Sequence, residues 1–496
     1  MARTGTGLSA RYLAAHTPAG RDRYVDLLRV ASLATVVLGH WTMAAVTADG
    51  SVGNLLAVVP ALQVATWGLQ VMPVFFFVGG FAHALSHRSR PGYAAFVRSR
   101  VRRLLRPTVV FAAVWAAAAL AVHLLGGGGG LTGTALRLVA QPLWFVGVYL
   151  AMVALTPPLL RLHRRWGWGA FAALAGGAAA VDALRFAGGV PYVGFLNFAL
   201  VWLAVHQLGF LRADGRLGAP AVPRALAAAG LAGAVALVAF GPYPLSMVGM
   251  PGEEVSNMAP PTLALLCHGV WLVGAVELLR GPGTRLAARA RVWRAVVAAN
   301  GIAMTAFLWH LTAMLGVYGA MLALGVPLPE PASGAWWAQL PVRVAVAVAV
   351  TGLLVGVFRA AERPAAGAAA PGPRSAAPAV LGVTLGLLGV LGLSTVGFGG
   401  LLEGRSAVLV AVPVTAPGAL ALVLAGWLLV ELRRWTPARR QDPARARRGR
   451  APDGEAPGGA AVRPAAGSGG GRRTPPRRSP APCAATRGPA PDRRPG

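Results

Sequence analysis

Apolar residues gather along this chain in runs of about 20, the length a helix needs to cross a bilayer core of about 30 Å. Twelve such runs are read at roughly 26–46, 59–85, 108–125, 141–160, 169–187, 193–211, 222–241, 260–279, 297–324, 340–358, 379–400 and 407–431. The expected fold is an all-α integral membrane protein with twelve transmembrane helices. After the tenth run the chain becomes rich in Ala, Pro and Gly, which reads as a linker over 361–378. It divides a ten-helix domain, 25–360, from two additional helices within 379–432. Residues 1–24 hold four Arg and no apolar core, unlike a cleavable signal peptide. From 433 to 496 Pro, Arg, Gly and Ala dominate, with almost no large apolar side chains to bury, so a disordered basic tail is expected.

The distribution of charge orients these runs, because basic loops are retained on the cytoplasmic side. With both termini cytoplasmic, 41 of the 46 basic residues lie inside, and only Arg137, Arg185, Arg343 and Arg405 lie outside. Arg29 sits at the inner end of the first run. The outer loops carry Asp49, Glu253, Glu254, Glu330 and Glu403 instead. Losing or gaining one helix would export a strongly basic stretch, so twelve is preferred to eleven. The implied location is the inner (plasma) membrane, with N- and C-termini cytoplasmic. Beside a membrane, the basic tail points to anionic lipid head groups, and no nucleic acid partner is expected.

Composition narrows the classes further. At 55% hydrophobic and 12% charged residues the chain is too apolar for an ordinary soluble enzyme of its length. Every basic residue is Arg, which excludes a Walker-type phosphate loop and its Lys. Cys267 and Cys483 lie in such different surroundings that neither a disulfide framework nor a zinc cluster is expected. No permanently bound cofactor and no metal site are implied. The heavy use of Ala, Gly, Pro and Arg without Lys suits a GC-rich genome, with an actinobacterium as the expected source.

Chemistry concentrates in the first run, RDRYVDLLRVASLATVVLGHW. In a helix, eleven steps of about 100° bring His40 within roughly 20° of Arg29, and Asp26 lies about 60° from Arg29, so the three share a face. His40 lies about 16 Å deeper than Arg29 along the axis. Ionisable groups at such depth face the protein interior or a wet cavity and are functional candidates; the alternative is a structural His bonded between helices.

DLLRVASLATVVLGHW resembles the opening helix of the acyltransferase 3 family, in which an Arg and a His are separated by ten residues; Arg29 and His40 have that spacing. Further along, PVFFFVGGFAHALSHRS, with Phe75 to Phe77 and Gly79 or Gly80, is similar to the family's second helix. YAAFVRSRVRRLLRP is similar to its basic stretch before a Pro. PLWFVGVYL, with Trp144 and Phe145, and FLWH, ending at His310, resemble later motifs in the same order. The resemblance covers approximately residues 22–360 and implies an O-acyltransferase that modifies carbohydrate-type hydroxyls.

Transfer from a thioester to an alcohol needs a base for the hydroxyl proton. His40 suits the task, since an imidazole with an unperturbed pKa near 6.5 is largely neutral at pH 7. Arg29 either binds donor phosphate or carbonyl oxygen or pairs with Asp26. The donor implied is acyl-CoA, with acetyl the expected acyl group, and the resemblance implies that a pair of Arg in the basic stretch serves it. Arg100, Arg103 and Arg106 recur every three residues there and would form a drifting stripe on a helix. Trp144 and His310 are candidates for lining the substrate cavity. Asn197, His206 and Gln207 either line the same cavity or, the commoner role, are helix–helix hydrogen-bonding groups. Asp182 and Glu277 are expected at solvated helix ends, and His83 and His87 near the inner surface. Trp166, Trp168, Trp336 and Trp337 are expected in interfacial belts. The acceptor expected is a glycan, glycolipid or glycosylated metabolite. The competing function is a polytopic transporter or exporter, which twelve helices also suit, although no convincing internal repeat is seen.

Overall fold

The computed structural model describes residues 10–89, 92–126, 130–250, 252–362, 376–402 and 404–431. The tail over 433–496, and most of the linker expected over 361–378, lie outside these residues. The described part falls in one compact unit and is mostly helical. Twelve helices coincide with the twelve apolar runs: α1 Arg23–Met43, α2 Met72–Ser89, α3 Tyr93–Leu124, α4 Leu143–Trp166, α5 Trp168–Phe186, α6 Asn197–Ala213, α7 Ala221–Phe240, α8 Leu263–Leu278, α9 Ala303–Ala323, α10 Gly334–Phe358, α11 Ala377–Val396 and α12 Ala416–Glu431.

The count of spans is less simple than the count of runs. Among the described residues nine helices are long and apolar enough to cross a membrane, or ten if α8 and the following Arg280–Ala288, bent by 58° at their junction, form one span. α1, which carries Asp26, Arg29 and His40, is outside that set, and α12 has only 16 residues. The run expected over 407–431 begins as a hairpin, β3 Ser406–Leu409 paired antiparallel with β4 Val412–Thr415. Its β-branched residues and Pro413 favour extended backbone over helix there. A second hairpin, β1 Ala44–Val46 with β2 Val52–Asn54, follows α1 directly and ends it three residues short of the expected limit. The run expected over 59–85 is broken into a 3₁₀ turn Pro60–Ala65, a short helix Thr66–Leu69 and α2.

Local chemistry explains where the helices start. The Asp22 carboxylate accepts from the Tyr24 and Val25 N–H groups at the head of α1, and Thr262 and Ser333 cap α8 and α10 in the same way. Glu362 accepts from the N–H groups of Met304 and Thr305, capping α9 from a distant segment. α3 begins at Tyr93 rather than near residue 108, so the basic stretch is the first part of a 32-residue helix that continues through Pro107.

Packing is tight where glycines meet. A Cβ on Gly80 of α2 would stand 2.0 Å from the His206 carbonyl oxygen, and one on Gly209 of α6 would stand 2.2 Å from the Phe77 oxygen, so only glycine permits this approach. The two additional helices pack on one another and on the rest of the core. Gly386 faces Leu105, Gly147 faces Leu391, and Phe398 packs against Phe111 and Trp115.

Candidate active site

His40, in the last turn of α1, and His310 of α9 stand side by side. Their ring centroids are 5.0 Å apart, and His310 Nε2 lies 3.3 Å from His40 Nδ1. His40 Nδ1 is also 2.8 Å from the Val36 carbonyl oxygen one turn back on α1. A carbonyl can only accept, so Nδ1 carries the proton and shares it with His310 Nε2. His310 Nδ1 bonds the Phe307 carbonyl, which leaves its Nε2 as an acceptor and makes the two assignments consistent. His40 Nε2 therefore holds a lone pair, and it makes no hydrogen bond among the described residues. Trp41 ties the two helices together by donating from Nε1 to the His310 backbone oxygen at 3.0 Å. His310 is fully buried and His40 partly so.

At the other end of the same face, Asp26 is 5% exposed and accepts from two arginines, Arg21 at 2.6 Å and Arg29 at 3.1 Å. The pairing open in the sequence is realised, and it holds the Arg29 guanidinium in place. Arg29 of α1 and Arg100 of α3 both lie near enough to His83 for their charges to act on it. The expected stripe of three arginines does not share one environment, because steps of three residues drift by about 60° each. Arg100 and Arg106 are half-buried, Arg103 is exposed, and Arg98 is the buried member of the stretch at 7% exposure. Arg102 pairs with Glu431 of α12 at 3.5 Å.

The aromatic motifs that lay far apart in sequence meet between these two ends. A train of rings runs from His310 through Phe307 and Phe145 to Phe75, Tyr149 and His83, with successive centroids 5.5, 4.6, 5.0, 5.8 and 5.2 Å apart. Trp144 is half-buried and packs edge-on to Phe145 at 6.3 Å, beside this train rather than against His40.

Several expected positions are corrected. His83 does not approach a surface: it is fully buried and lies 3.1 Å from His206 Nε2, with Thr156 3.3 Å away. No spacing within one helix could reveal that pair, because its members come from α2 and α6. Asp182 and Glu277 are buried rather than solvated. Asp182 accepts from Asn197, Tyr243 and the Leu263 N–H, and Glu277 accepts from Arg212 at 2.9 Å. Trp336 is fully buried, whereas its neighbour Trp337 is 43% exposed and fits a belt position. Gln207 bonds His163 and the Gly167 carbonyl, a helix–helix role as expected.

A shared acyltransferase domain matches the chain over residues 22–358, the stretch that contains α1 to α10 with Asp26, Arg29, His40 and His310. The chain belongs to the acyltransferase 3 family. It is an acyltransferase and a multi-pass membrane protein, and the transporter reading is set aside. No curated protein and no solved structure matches the chain.

Proposed function

We propose that the acyltransferase uses acyl-CoA, with acetyl the favoured acyl group, to modify a hydroxyl of a cell-surface glycan, glycolipid or glycosylated metabolite. One observation carries this reading: His40 has its Nδ1 proton committed to Val36 and His310, which leaves Nε2 as a base on the face that also bears Arg29. In the proposed step Nε2 takes the acceptor's hydroxyl proton as that oxygen attacks the thioester carbonyl. The C–S bond then breaks, and the proton passes from His40 to the departing thiolate, so the imidazole ends neutral as it began. A charged neighbour is not needed to hold the ring, since two neutral acceptors do so.

The arginine end supports donor binding. Arg29 and Arg100 each lie within electrostatic reach of His83, and the eleven residues from Arg29 to His40 span about 16 Å of helix. The flexible arm between the phosphates and sulfur of CoA is long enough to cross such a gap. In this reading the arginine end faces the cytoplasm, where acyl-CoA is made, and both termini lie on that side of the plasma membrane.

Membranes containing the full chain, incubated with radiolabelled acetyl-CoA, test the proposal. His40→Gln should keep normal abundance in the membrane and lose about 10² to 10⁴ in transfer rate. Near-normal turnover of His40→Gln would make His40 a structural residue and end this mechanism.

A further inference from the structure

Beyond His40, on the side away from Arg29, lies a charged group that the reaction above does not use. Arg343 of α10 is 6% exposed and pairs with no carboxylate among the described residues. Two of its nitrogens are anchored: one donates to the Tyr318 hydroxyl at 3.0 Å, the other to the Trp336 carbonyl at 2.9 Å. The rings of Tyr318 and Trp336 flank the guanidinium at 5.5 and 4.7 Å. Its Nε–H is buried and has no hydrogen-bond partner. The side chain borders a narrow cleft with Trp41, Met314, Val317, Tyr318 and Ala347.

Physical cost makes this arrangement informative. A buried cation without a counter-charge is expensive, and neutral acceptors repay only part of its lost hydration. Its position is equally specific. Trp41 adjoins His40 in sequence, and Tyr318 lies eight residues beyond His310 on α9, about 12 Å along the axis. The Tyr318 hydroxyl in turn donates to the Ala44 carbonyl, just past the end of α1. Arg343 thus flanks His40 from the end opposite the Arg29 cluster, beside indole and phenol rings.

We propose that Arg343 binds an anionic group, a carboxylate or phosphate, on the hydroxyl-bearing acceptor, and so selects acidic acceptors over neutral ones. The unpartnered Nε–H and the uncompensated charge supply the recognition, while Trp41 and Tyr318 supply apolar ring faces to the body of the acceptor. This proposal rests on the acyltransferase reading for what happens next, but binding itself does not.

Two matched probes test it: p-nitrophenyl β-D-glucuronide and p-nitrophenyl β-D-glucoside, which differ in the charge at one carbon. The purified full chain, in nanodiscs of phosphatidylcholine, is followed by its thermal midpoint and by transfer from labelled acetyl-CoA. The glucuronide should raise the wild-type midpoint more than the glucoside does, and its KM should be lower. Arg343→Gln should erase that preference, raising the glucuronide KM about 10- to 100-fold with the acetyl-CoA KM unchanged, as loss of one charge-assisted bond implies. Arg343→Lys should keep part of it. A merely structural Arg343 would lower the midpoint with either probe and leave the preference intact, which would overturn the proposal. So would a wild-type protein indifferent to charge. If phosphatidylglycerol in the nanodisc, rather than the glucuronide, gives the Arg343-dependent stabilisation, the occupant is a lipid head group and the acceptor assignment fails. Arg343-dependent binding of the glucuronide without any transfer would keep the site and reject the acyltransfer reading of His40.

Discussion

His310→Ala should slow acyl transfer by about twofold to tenfold, far less than the loss predicted for His40→Gln. His310 contributes one hydrogen bond to the base, and at 3.3 Å it is longer than the 2.8 Å bond from His40 Nδ1 to Val36. A neutral bond of that kind is worth about 0.5–1.5 kcal/mol. At about 1.4 kcal/mol per factor of ten, its loss costs roughly twofold to tenfold in rate. The Val36 carbonyl still holds the Nδ1 proton, so the tautomer that presents Nε2 survives. Packing between α1 and α9 survives in part as well, because Trp41 donates to the backbone oxygen of residue 310 and not to its side chain. His310→Asn, which fills part of the vacated space, controls for the void. The measurement is labelled acyl transfer per amount of protein in the membrane, with His310→Ala, His310→Asn and His40→Gln side by side. A loss of 10² or more in both His310 variants, at normal abundance, would show that His310 handles the proton itself. The assigned roles of the two histidines would then be wrong.

Other consequences follow from contacts elsewhere. Gly80→Ala should lower the thermal midpoint of the detergent-purified protein, since its Cβ would stand 2.0 Å from the His206 oxygen and α2 must move off α6. Overpacking of this kind costs about 1–3 kcal/mol, and an unchanged midpoint would mean the two helices have slack. Asp214, at the end of α6 and outside the span, gives a pH-dependent effect. Burial pushes its carboxyl up, but the hydrogen bond and charge of His163, with the charge and hydrogen bond of Arg88, outweigh burial and hold it below the usual range. A depressed carboxyl stabilises the fold above its unfolded pKa and loses that contribution as pH falls through the folded value. Asp214→Asn should therefore melt earlier than the native chain near neutral pH, with the gap closing on acidification below the carboxylate range. A gap that is constant with pH would detach Asp214 from the effect.

Much of this protein was legible in one dimension because a bilayer imposes a length and a polarity on every segment that crosses it. Each apolar run overlaps one of the helices α1 to α12, although among the described residues only nine or ten are long and apolar enough to cross a membrane. The first run, dense with Asp26, Arg29 and His40, holds the candidate chemistry. Helical periodicity places those three on one face, and the hydrogen bond from Arg29 to Asp26, three residues apart, agrees for that pair. Boundaries set by turns were less visible. Apolar β-branched residues serve a hairpin or a helix equally well, so the strands after α1 and before α12 were hidden inside apolar runs. What only the tertiary structure decided is which polar groups meet. His40 faces His310 across 270 residues, His83 faces His206 across 123, and the Arg343 guanidinium meets Tyr318 across 25. Glu277 and Asp182 sit near helix ends, which suggested water, yet each is enclosed by donors from other helices. The physical reason is common to all of them. A buried polar group is tolerable only beside its partner, and that partner comes from whichever helix packing brings alongside, which no local spacing records.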